Sequence, residues 1–540
     1  MDKLFFNGDI ITMKEAFDKA RIVPEAVLVS DGLIKRIGMI GDLKEDLKED
    51  VEWIDLKGKC LMPSFIDPHS HIVMNGQMSL YADLSECGSF EEIINTLKEY
   101  KINHNISNDG VIVGYGYDHN FLTEREHPDK YTLDKVSTTI PVIIMHISGH
   151  LLCANSVALE IAGITAHTEE PYGGRIGRIK NSLDPNGYFE EAGLQFMYPV
   201  LRNRMQVDTA TVVENMQTIY LKNGVTTVQD GASTEENINL LKAMASSGQL
   251  KIDIIAYPLI ADKGKEVIDK NIEIDNKYEN HLKIGGYKII LDGSQQGRSA
   301  WLSEPYMGGD EKYCGYASYG DEIVNKYVEQ AVKEKKQILA HCNGDAASEQ
   351  FLNAYELCMR DHEEMALRPV MIHCQTVRND QLERMAKMKM IASIFVGHVY
   401  FWGDIHLQNL GFERGNHISP VRDAIDRGVV VNFHQDTPVT KPNMLHSIWC
   451  AVNRISRNGV EIGKEQRISV YEALKAVTIN AAYEYFEENE KGSLEEGKRA
   501  DMVILSDSPL KVDIKQIKNI YVLETIKDGE VVFKRDLCLN

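Results

Sequence analysis

Eight short apolar runs, each followed by a stretch long enough for a helical return, narrow the fold of this chain more than any other feature. They are Cys60 to His69, Gly224 to Gly231, Lys251 to Leu259, Ile284 to Asp292, Gln337 to His341, Val370 to His373, Met390 to Val396 and Val429 to Asp436. Continuous apolar strands joined by helical crossovers belong to parallel sheets covered on both faces, and eight of them predict an α/β fold closed into a (β/α)8 barrel of the TIM type. Polar residues gather at the carboxyl ends of the runs, where barrels of this kind keep their active sites.

The two ends of the chain read differently. Short alternating runs separated by Gly and Asp turns occupy Leu4 to Ile11, Ala26 to Ser30, Leu33 to Ile40 and Glu52 to Leu56, and again Gly492 to Leu505, Val522 to Ile526 and Val531 to Phe533 around the Asp528-Gly529 turn. One β sandwich formed by both termini, residues 1–62 and 484–540, is the expectation; two unrelated β modules are the alternative. The metal-dependent barrel then takes residues 63–75 and 216–483. Residues 76–215 break the repeat and are too long for a loop after the first strand, so they predict an inserted subdomain over the barrel mouth.

Composition excludes several kinds of partner. A net charge of −21 argues against nucleic acid and anionic membrane surfaces. Small-molecule chemistry is the default, with a homodimer the one assembly kept open. The N-terminal stretch lacks a basic region followed by a long apolar one, and no later run reaches the length of a membrane span, which reads as a cytoplasmic protein. None of the nine cysteines stands in a Cys-x-x-Cys pair, and Cys342 and Cys374 sit inside apolar runs, the pattern of reduced core thiols.

His69-Ser70-His71 closes the first strand, and alternation turns both imidazoles to one face, where they can share a metal. Taken alone, the pair reads more readily as hydrogen-bonded loop residues, the commoner role of a strand-end histidine. Lys288 in the fourth strand, His341 and His373 at the ends of the fifth and sixth, and Asp436 at the end of the eighth complete a set of the kind that binds divalent metal, most often zinc. Singly, His341 or His373 reads as well as a satisfied core histidine. A cationic Lys288 among such ligands would repel the ions, so its charge must be neutralised. A neutral amine can add carbon dioxide to give a carbamate that bridges two metals. Pairing with Asp292, four residues on, is the alternative that the residues alone favour.

For the substrate, Tyr115 and Asp118 in Gly114-Tyr-Gly-Tyr-Asp118-His119, and His150 and Asn155 in His146-Ile-Ser-Gly-His150-Leu-Leu-Cys-Ala-Asn155-Ser156, are pocket candidates. Hydrogen-bonded turns explain both clusters equally well. Arg298 and Gln375 lie just beyond strand ends. A guanidinium at Arg298 matches a substrate carboxylate, or a surface ion pair.

These segments resemble the amidohydrolase superfamily, and within it the YtcJ-like or amidohydrolase 3 group that includes N-substituted formamide deformylases. The resemblance covers nearly the whole chain. It rests on Met62-Pro-Ser-Phe-Ile-Asp-Pro-His-Ser-His71, Gly149-His150 through Asn155-Ser-Val-Ala-Leu159, Gly224-Val-Thr-Thr-Val228 and Tyr287-Lys288-Ile-Ile-Leu-Asp292-Gly-Ser294. Ala340-His341 with Gly344-Asp345, His373-Cys-Gln375, Asp436-Thr-Pro-Val439 and Gly492 to Asp501 continue it in the same order.

The resemblance implies a barrel with a β sandwich and two divalent metals, zinc by expectation, at the carboxyl rim. His69, His71 and Asp436 would bind the more buried ion, His341 and His373 the more exposed one, and Lys288, as a carbamate, would bridge them. That reverses the preference for an Asp292 pair. It further implies a metal-bound hydroxide attacking an amide, N-formyl, N-acyl or cyclic amide carbonyl, with Asp436 as general acid and base. Ile372 stands where members often carry an acidic residue, and Asn432-Phe-His-Gln435 replaces small residues before Asp436, so the substrate does not carry over with the resemblance. A one-metal aminohydrolase of ring amines would lack the strand-four lysine and place Glu shortly after the strand-five histidine. Here Lys288 is present and Cys342-Asn-Gly-Asp345 follows His341. A non-catalytic scaffold would have lost ligands that this chain retains.

Overall fold

The computed structural model describes residues 2–14, 23–43, 47, 50–205, 209–360 and 365–536. Two parallel sheets carry the apolar runs. The first holds β1 (Phe65–Asp67), β2 (Val225–Ser233) and β3 (Asp253–Pro258) side by side, with the short strand Leu282–Ile284 on the far edge of β3. The second holds β4 (Gly286–Ile290), β5 (Gln337–Cys342), β6 (Val370–His373), β7 (Ile391–Ile394) and β8 (Val431–Phe433) in sequence order.

The sheets meet at both seams. A parallel bridge joins Leu259, just past β3, to Lys288 of β4, and the His71 amide after β1 donates to the Thr437 carbonyl after β8 at 2.8 Å. Ile66, Ile255, Leu339, Ile372 and Ile391, drawn from five strands of both sheets, share one buried cluster. Their chain neighbours Phe65, Ile254, Ile338, Met371 and Ala392 pack on the opposite side. With apolar residues required on both faces, the strands read as unbroken hydrophobic runs, and each fully buried Ile or Leu contributes about 1.5–3 kcal/mol. The covering helices carry the matching stripe: in Asp321–Lys333, Val324, Val328, Ala331 and Val332 are the buried face.

The fourth strand differs from the expected continuous run. Leu282–Ile284 pairs with β3, whereas Gly286–Ile290 pairs with β5, and the chain shifts sheets at Gly285. A Cβ at Gly285 would lie 2.5 Å from the Tyr257 hydroxyl, so only glycine passes that ring.

Strands from both ends of the chain share one mixed sheet, because Cys60–Pro63 pairs antiparallel with Met502–Leu505. The Asp528-Gly529 turn in it has both residues at positive φ, the backbone a two-residue hairpin demands. A second sheet, Lys3–Phe6, Ala26–Ser30, Leu33–Gly38 and Glu52–Asp55, is N-terminal throughout. Phe5, Val27 and Ile34 of this sheet share a core with Leu61, Met502 and Ile526 of the other. Between β1 and β2 lies a six-stranded sheet from Ala82–Asp83 to Pro185–Glu191, with Ile143 and Ile144 alternating into separate cores on its two faces. Among the described residues the cysteines are free thiols, and no helix is long and apolar enough to cross a membrane.

The amino ends of the strands are locked by buried charge. Lys491 bridges Asp253 at the start of β3 (2.5 Å) and Glu487 (2.9 Å), while Lys527 bridges Asp253 (3.2 Å) and Asp501 (3.1 Å). Burial alone would raise the Asp253 carboxyl, but the ammonium groups of Lys491 and Lys527 outweigh it and hold it well below the usual range. Removing Lys491 takes one of two ammonium partners from each of two buried carboxylates, leaving Asp253 with Lys527 and Glu487 with Lys283. Lys491→Met is therefore expected to lower unfolding stability by about 1.5–3 kcal/mol, read as a shifted urea midpoint; an unshifted midpoint would show that the network contributes little.

Candidate metal centre

The centre is built on the carboxyl ends of β1 and β8. The outer ring nitrogens of the first histidine pair are fixed by β2 and the residues that end it: His69 Nδ1 lies 2.6 Å from Gln229 Oε1, and His71 Nδ1 lies 2.7 Å from the Gly231 carbonyl oxygen. Gln229 presents its oxygen because its amide nitrogen donates to the Pro68 carbonyl at 2.7 Å. Both partners only accept there, so each Nδ1 carries a hydrogen, and in the neutral ring Nε2 is left as a lone pair. The two Nε2 atoms face Asp436 Oδ1 at 3.3 and 3.2 Å. Three acceptors thus converge with no proton between them, and Asp436 Oδ1 is a buried oxygen without a hydrogen-bond donor. A cation satisfies this arrangement, and two imidazoles with a carboxylate are zinc's usual donors. Gly231 leaves room for the ring: a Cβ there would approach His69 Cε1 to 2.9 Å.

A second pair faces the same space from β5 and β6. His341 Nδ1 and His373 Nε2 lie 3.0 Å apart, and His373 Nε2 is 3.9 Å from Asp436 Oδ2, so the carboxylate stands between the two histidine pairs. His373 turns its Nδ1 to His434 Nε2 at 3.2 Å, and His434 Nδ1 meets Ser393 Oγ at 3.0 Å. His434, which shares the face of Asp436 in the sequence, therefore backs a ligand candidate. Ile372, in the place of an acidic residue, belongs to the apolar cluster shared by both sheets. His373, Cys374 and Asp436 sit at φ of 74°, 48° and 54°. Non-glycine residues in that region cost of order 1–3 kcal/mol and concentrate at functional sites.

Lys288 is buried with its Nζ 3.4 Å from His69 Nε2, and burial pulls its pKa down to about 8. The Asp292 alternative does not hold. Its oxygens accept the backbone amides of Trp301, Asn343 and Gly344 at 3.0, 3.0 and 2.7 Å and so shape the loops beyond β4 and β5. Burial also holds His69, His341 and His373 well below the ordinary histidine pKa, leaving neutral rings with lone pairs.

The substrate candidates divide. His150 lies beside the centre, its ring 5.6 Å from that of His341. Tyr115 donates its hydroxyl to the Ile147 carbonyl at 2.9 Å. Asn155 is a helix cap: its oxygen accepts the Val142 and Ala158 amides, and its nitrogen donates to the Ser137 and Ile140 carbonyls. Gln375 donates to Ser419, and Arg298 donates to the Met307 carbonyl beside the Tyr306 ring.

Asp118 belongs to a separate group with His119 and His146, whose polar atoms are close enough for a metal. Asp118 and His146 already have hydrogen-bond partners. Asp118 accepts from Trp402 Nε1 and twice from Asn120, and the Ser148 amide donates to His146 Nδ1 at 3.1 Å. That amide requires an unprotonated Nδ1, which places the hydrogen of neutral His146 on Nε2, the nitrogen a metal would need. The contrast with His69 and His71, whose Nδ1 atoms face acceptors, separates a hydrogen-bonded cluster from a candidate ligand set.

A family model described as the amidohydrolase family matches residues 52–533. The chain belongs to the amidohydrolase family. It is 28% identical over 556 aligned positions to YtcJ of Bacillus subtilis strain 168, described as an amidohydrolase, covering 99% of this chain and 100% of that one. It is 26% identical to the N-substituted formamide deformylase of Arthrobacter pascens, covering 99% and 98%. Among solved structures, a metal-dependent hydrolase from Pyrococcus horikoshii OT3 superposes with a TM-score of 0.75 at 26% identity, over 95% of this chain and 99% of that one. This amidohydrolase is a hydrolytic enzyme acting on a non-peptide C–N bond, and its family is metal-dependent.

Proposed function

We propose that this amidohydrolase cleaves the C–N bond of an N-formyl, N-acyl or cyclic amide, using two zinc ions at the carboxyl rim of a (β/α)8 barrel formed by β1 to β8. The observation that carries the reading is the convergence of His69 Nε2, His71 Nε2 and Asp436 Oδ1 at 3.2–3.3 Å with their outer ring nitrogens already engaged. Divalent ions held there would lower the pKa of a water to about 7 and polarise the amide carbonyl. His69, His71 and Asp436 would hold one ion, His341 Nδ1 and His373 Nε2 the other, and Lys288 would lie between them as a carbamate. Asp436, standing between the histidine pairs, is placed to take the proton of the attacking water and return it to the leaving nitrogen.

The surroundings support the same reading. The pairing of Cys60–Pro63 with Met502–Leu505 fits a sandwich made from residues 1–62 and 484–540. The hydrogen bonds of Trp402 to Asp118 and of Ser299 to Glu191 fit residues 76–215 as a cover fastened over the mouth. Buried Lys288 beside His69 favours two ions over the one-metal aminohydrolase arrangement. A screen of N-formyl, N-acyl and cyclic amides with zinc-loaded protein, following amine release, tests the reading. Amine from an acyclic amide, or ring opening, is expected; ammonia released from ring amines, with no amide cleaved, would overturn it.

A further inference from the structure

The outer ring nitrogens tell the two histidine pairs apart. Behind His69 and His71 stand acceptors, whereas behind His341 stands a donor: Asn343 Nδ2 lies 3.1 Å from His341 Nε2. The orientation of that amide is fixed by the Gly293 carbonyl, which only accepts and lies 2.9 Å from the same Nδ2. The Asn343 backbone is held on both sides, its amide by Asp292 Oδ1 at 3.0 Å and its carbonyl by Gln295 Nε2 and Thr376 Oγ1 at 3.0 and 2.9 Å. One Nδ2 hydrogen goes to Gly293 and the other points at the ring, so neutral His341 carries its hydrogen on Nδ1.

That hydrogen points into the candidate site. His373 Nε2 accepts it at 3.0 Å, His373 Nδ1 then donates to His434 Nε2 at 3.2 Å, and His434 Nδ1 donates to Ser393 Oγ at 3.0 Å. A serine hydroxyl serves either direction, so the amide at the other end sets the direction of the chain. Around His69, His71 and Asp436 three acceptors converge, but between His341 and His373 a hydrogen lies on the line a second ion would take. A backbone donor in that place would be immovable, as the Ser148 amide is behind His146. A side-chain amide can turn. Asn343 Oδ1 is buried without a partner, and the Gly293 carbonyl lies 3.3 Å from His341 Nε2, with Asp292 Oδ1 beyond it at 3.6 Å, so an acceptor for a hydrogen on Nε2 is already in place.

We propose that Asn343 sets how readily the second ion binds. The ion held by His69, His71 and Asp436 enters a ready site, whereas the one on His341 and His373 enters only after the Asn343 amide turns and the His341 hydrogen moves from Nδ1 to Nε2. The ring loses one hydrogen and regains one, so it stays neutral and no net proton is released. The Gly293 carbonyl then accepts from Nε2, and Asn343 gives up its own bond to that carbonyl, which makes the second step the weaker. Asn343 is thus a positioning residue that acts through His341, and the inference rests on the two-ion reading above. Partners behind metal-bound histidines typically shift metal affinity by about 10–100-fold.

The test titrates zinc into full-length protein stripped by chelation, at constant bicarbonate, against a chromophoric chelator, with metal per chain from elemental analysis. The parent is expected to bind in two steps, the second weaker by about 10–100-fold. Asn343→Ala removes the opposing donor and is expected to tighten the second step toward the first, leaving the first unchanged; a side chain that merely supported the fold would weaken it instead. Asn343→Asp, which places an acceptor behind His341, should tighten it further, and it decides the matter if the alanine variant does not fold. Equal uptake of both ions by the parent, or a second step unchanged or weaker in the folded variant with the first step kept, would overturn the inference. A parent that takes up one ion at every zinc concentration would instead overturn the two-ion reading, one that takes up none the metal-dependent reading, and this inference falls with either.

Discussion

His69→Ala protein prepared with zinc is expected to hold a small fraction of the parent's metal and to show no measurable amide hydrolysis. His69 is 1% exposed and lies among the other groups of the centre: Gln229 behind it, Asp436 and Lys288 in front, and the ring of His373 at 5.7 Å. Truncation removes one of three converging acceptors and leaves His71 and Asp436 as an incomplete pair. A second readout separates metal loss from misfolding. A ligand that binds only the folded state stabilises it, by about 4 kcal/mol when present at 1,000 times its dissociation constant. Chelation should therefore lower the melting temperature of the parent and leave that of His69→Ala nearly unchanged. Parental zinc by elemental analysis in the variant would exclude His69 as a ligand, whatever its activity.

The candidate centre was legible in the sequence at the strand ends: His69 and His71 follow one apolar run, His341, His373 and Asp436 follow three others, and the parallel strands bring the five side chains together. What supports them was less legible. Gln229 lies inside the second apolar run, yet its role follows from a side-chain amide turned by the Pro68 carbonyl, which no spacing reveals. Glu191, the partner of His150 Nδ1 at 2.7 Å, was missed, because it reaches that ring only after two strands of the insert pair and Ser299 arrives from beyond β4. Asn155 carried a readable signal of the other kind: Asn followed by Ser-Val-Ala-Leu is a helix start, and the residue caps Ser156–Ala162. Lys288 and Asp292 share a strand face by periodicity, but three backbone amides from neighbouring loops claim the carboxylate. Period gives the face of a strand, whereas loop amides folding back from other segments decide which charges are already satisfied.

Lys288→Ala is the second large effect, expected to abolish amide hydrolysis and to be partly rescued by formate or acetate. Lys288 has no carboxylate partner in Asp292, and its burial disfavours the ammonium form. With burial lowering its pKa to about 8, a substantial share of the amine is uncharged at mildly alkaline pH, the form that adds carbon dioxide. A carbamate would convert a repelled cation into an anion with two oxygens, and a short carboxylate diffusing into the space vacated by the truncated side chain would supply the same pair of oxygens without the tether. Rescue should saturate with carboxylate concentration and be absent for a cationic amine of similar size. In ¹³C-bicarbonate, the parent should show a carbamate resonance that Lys288→Ala lacks. An active Lys288→Ala protein, or a parent without that resonance at full zinc occupancy, would leave Lys288 as a buried neutral amine and require the two histidine pairs to bind their ions without a bridge.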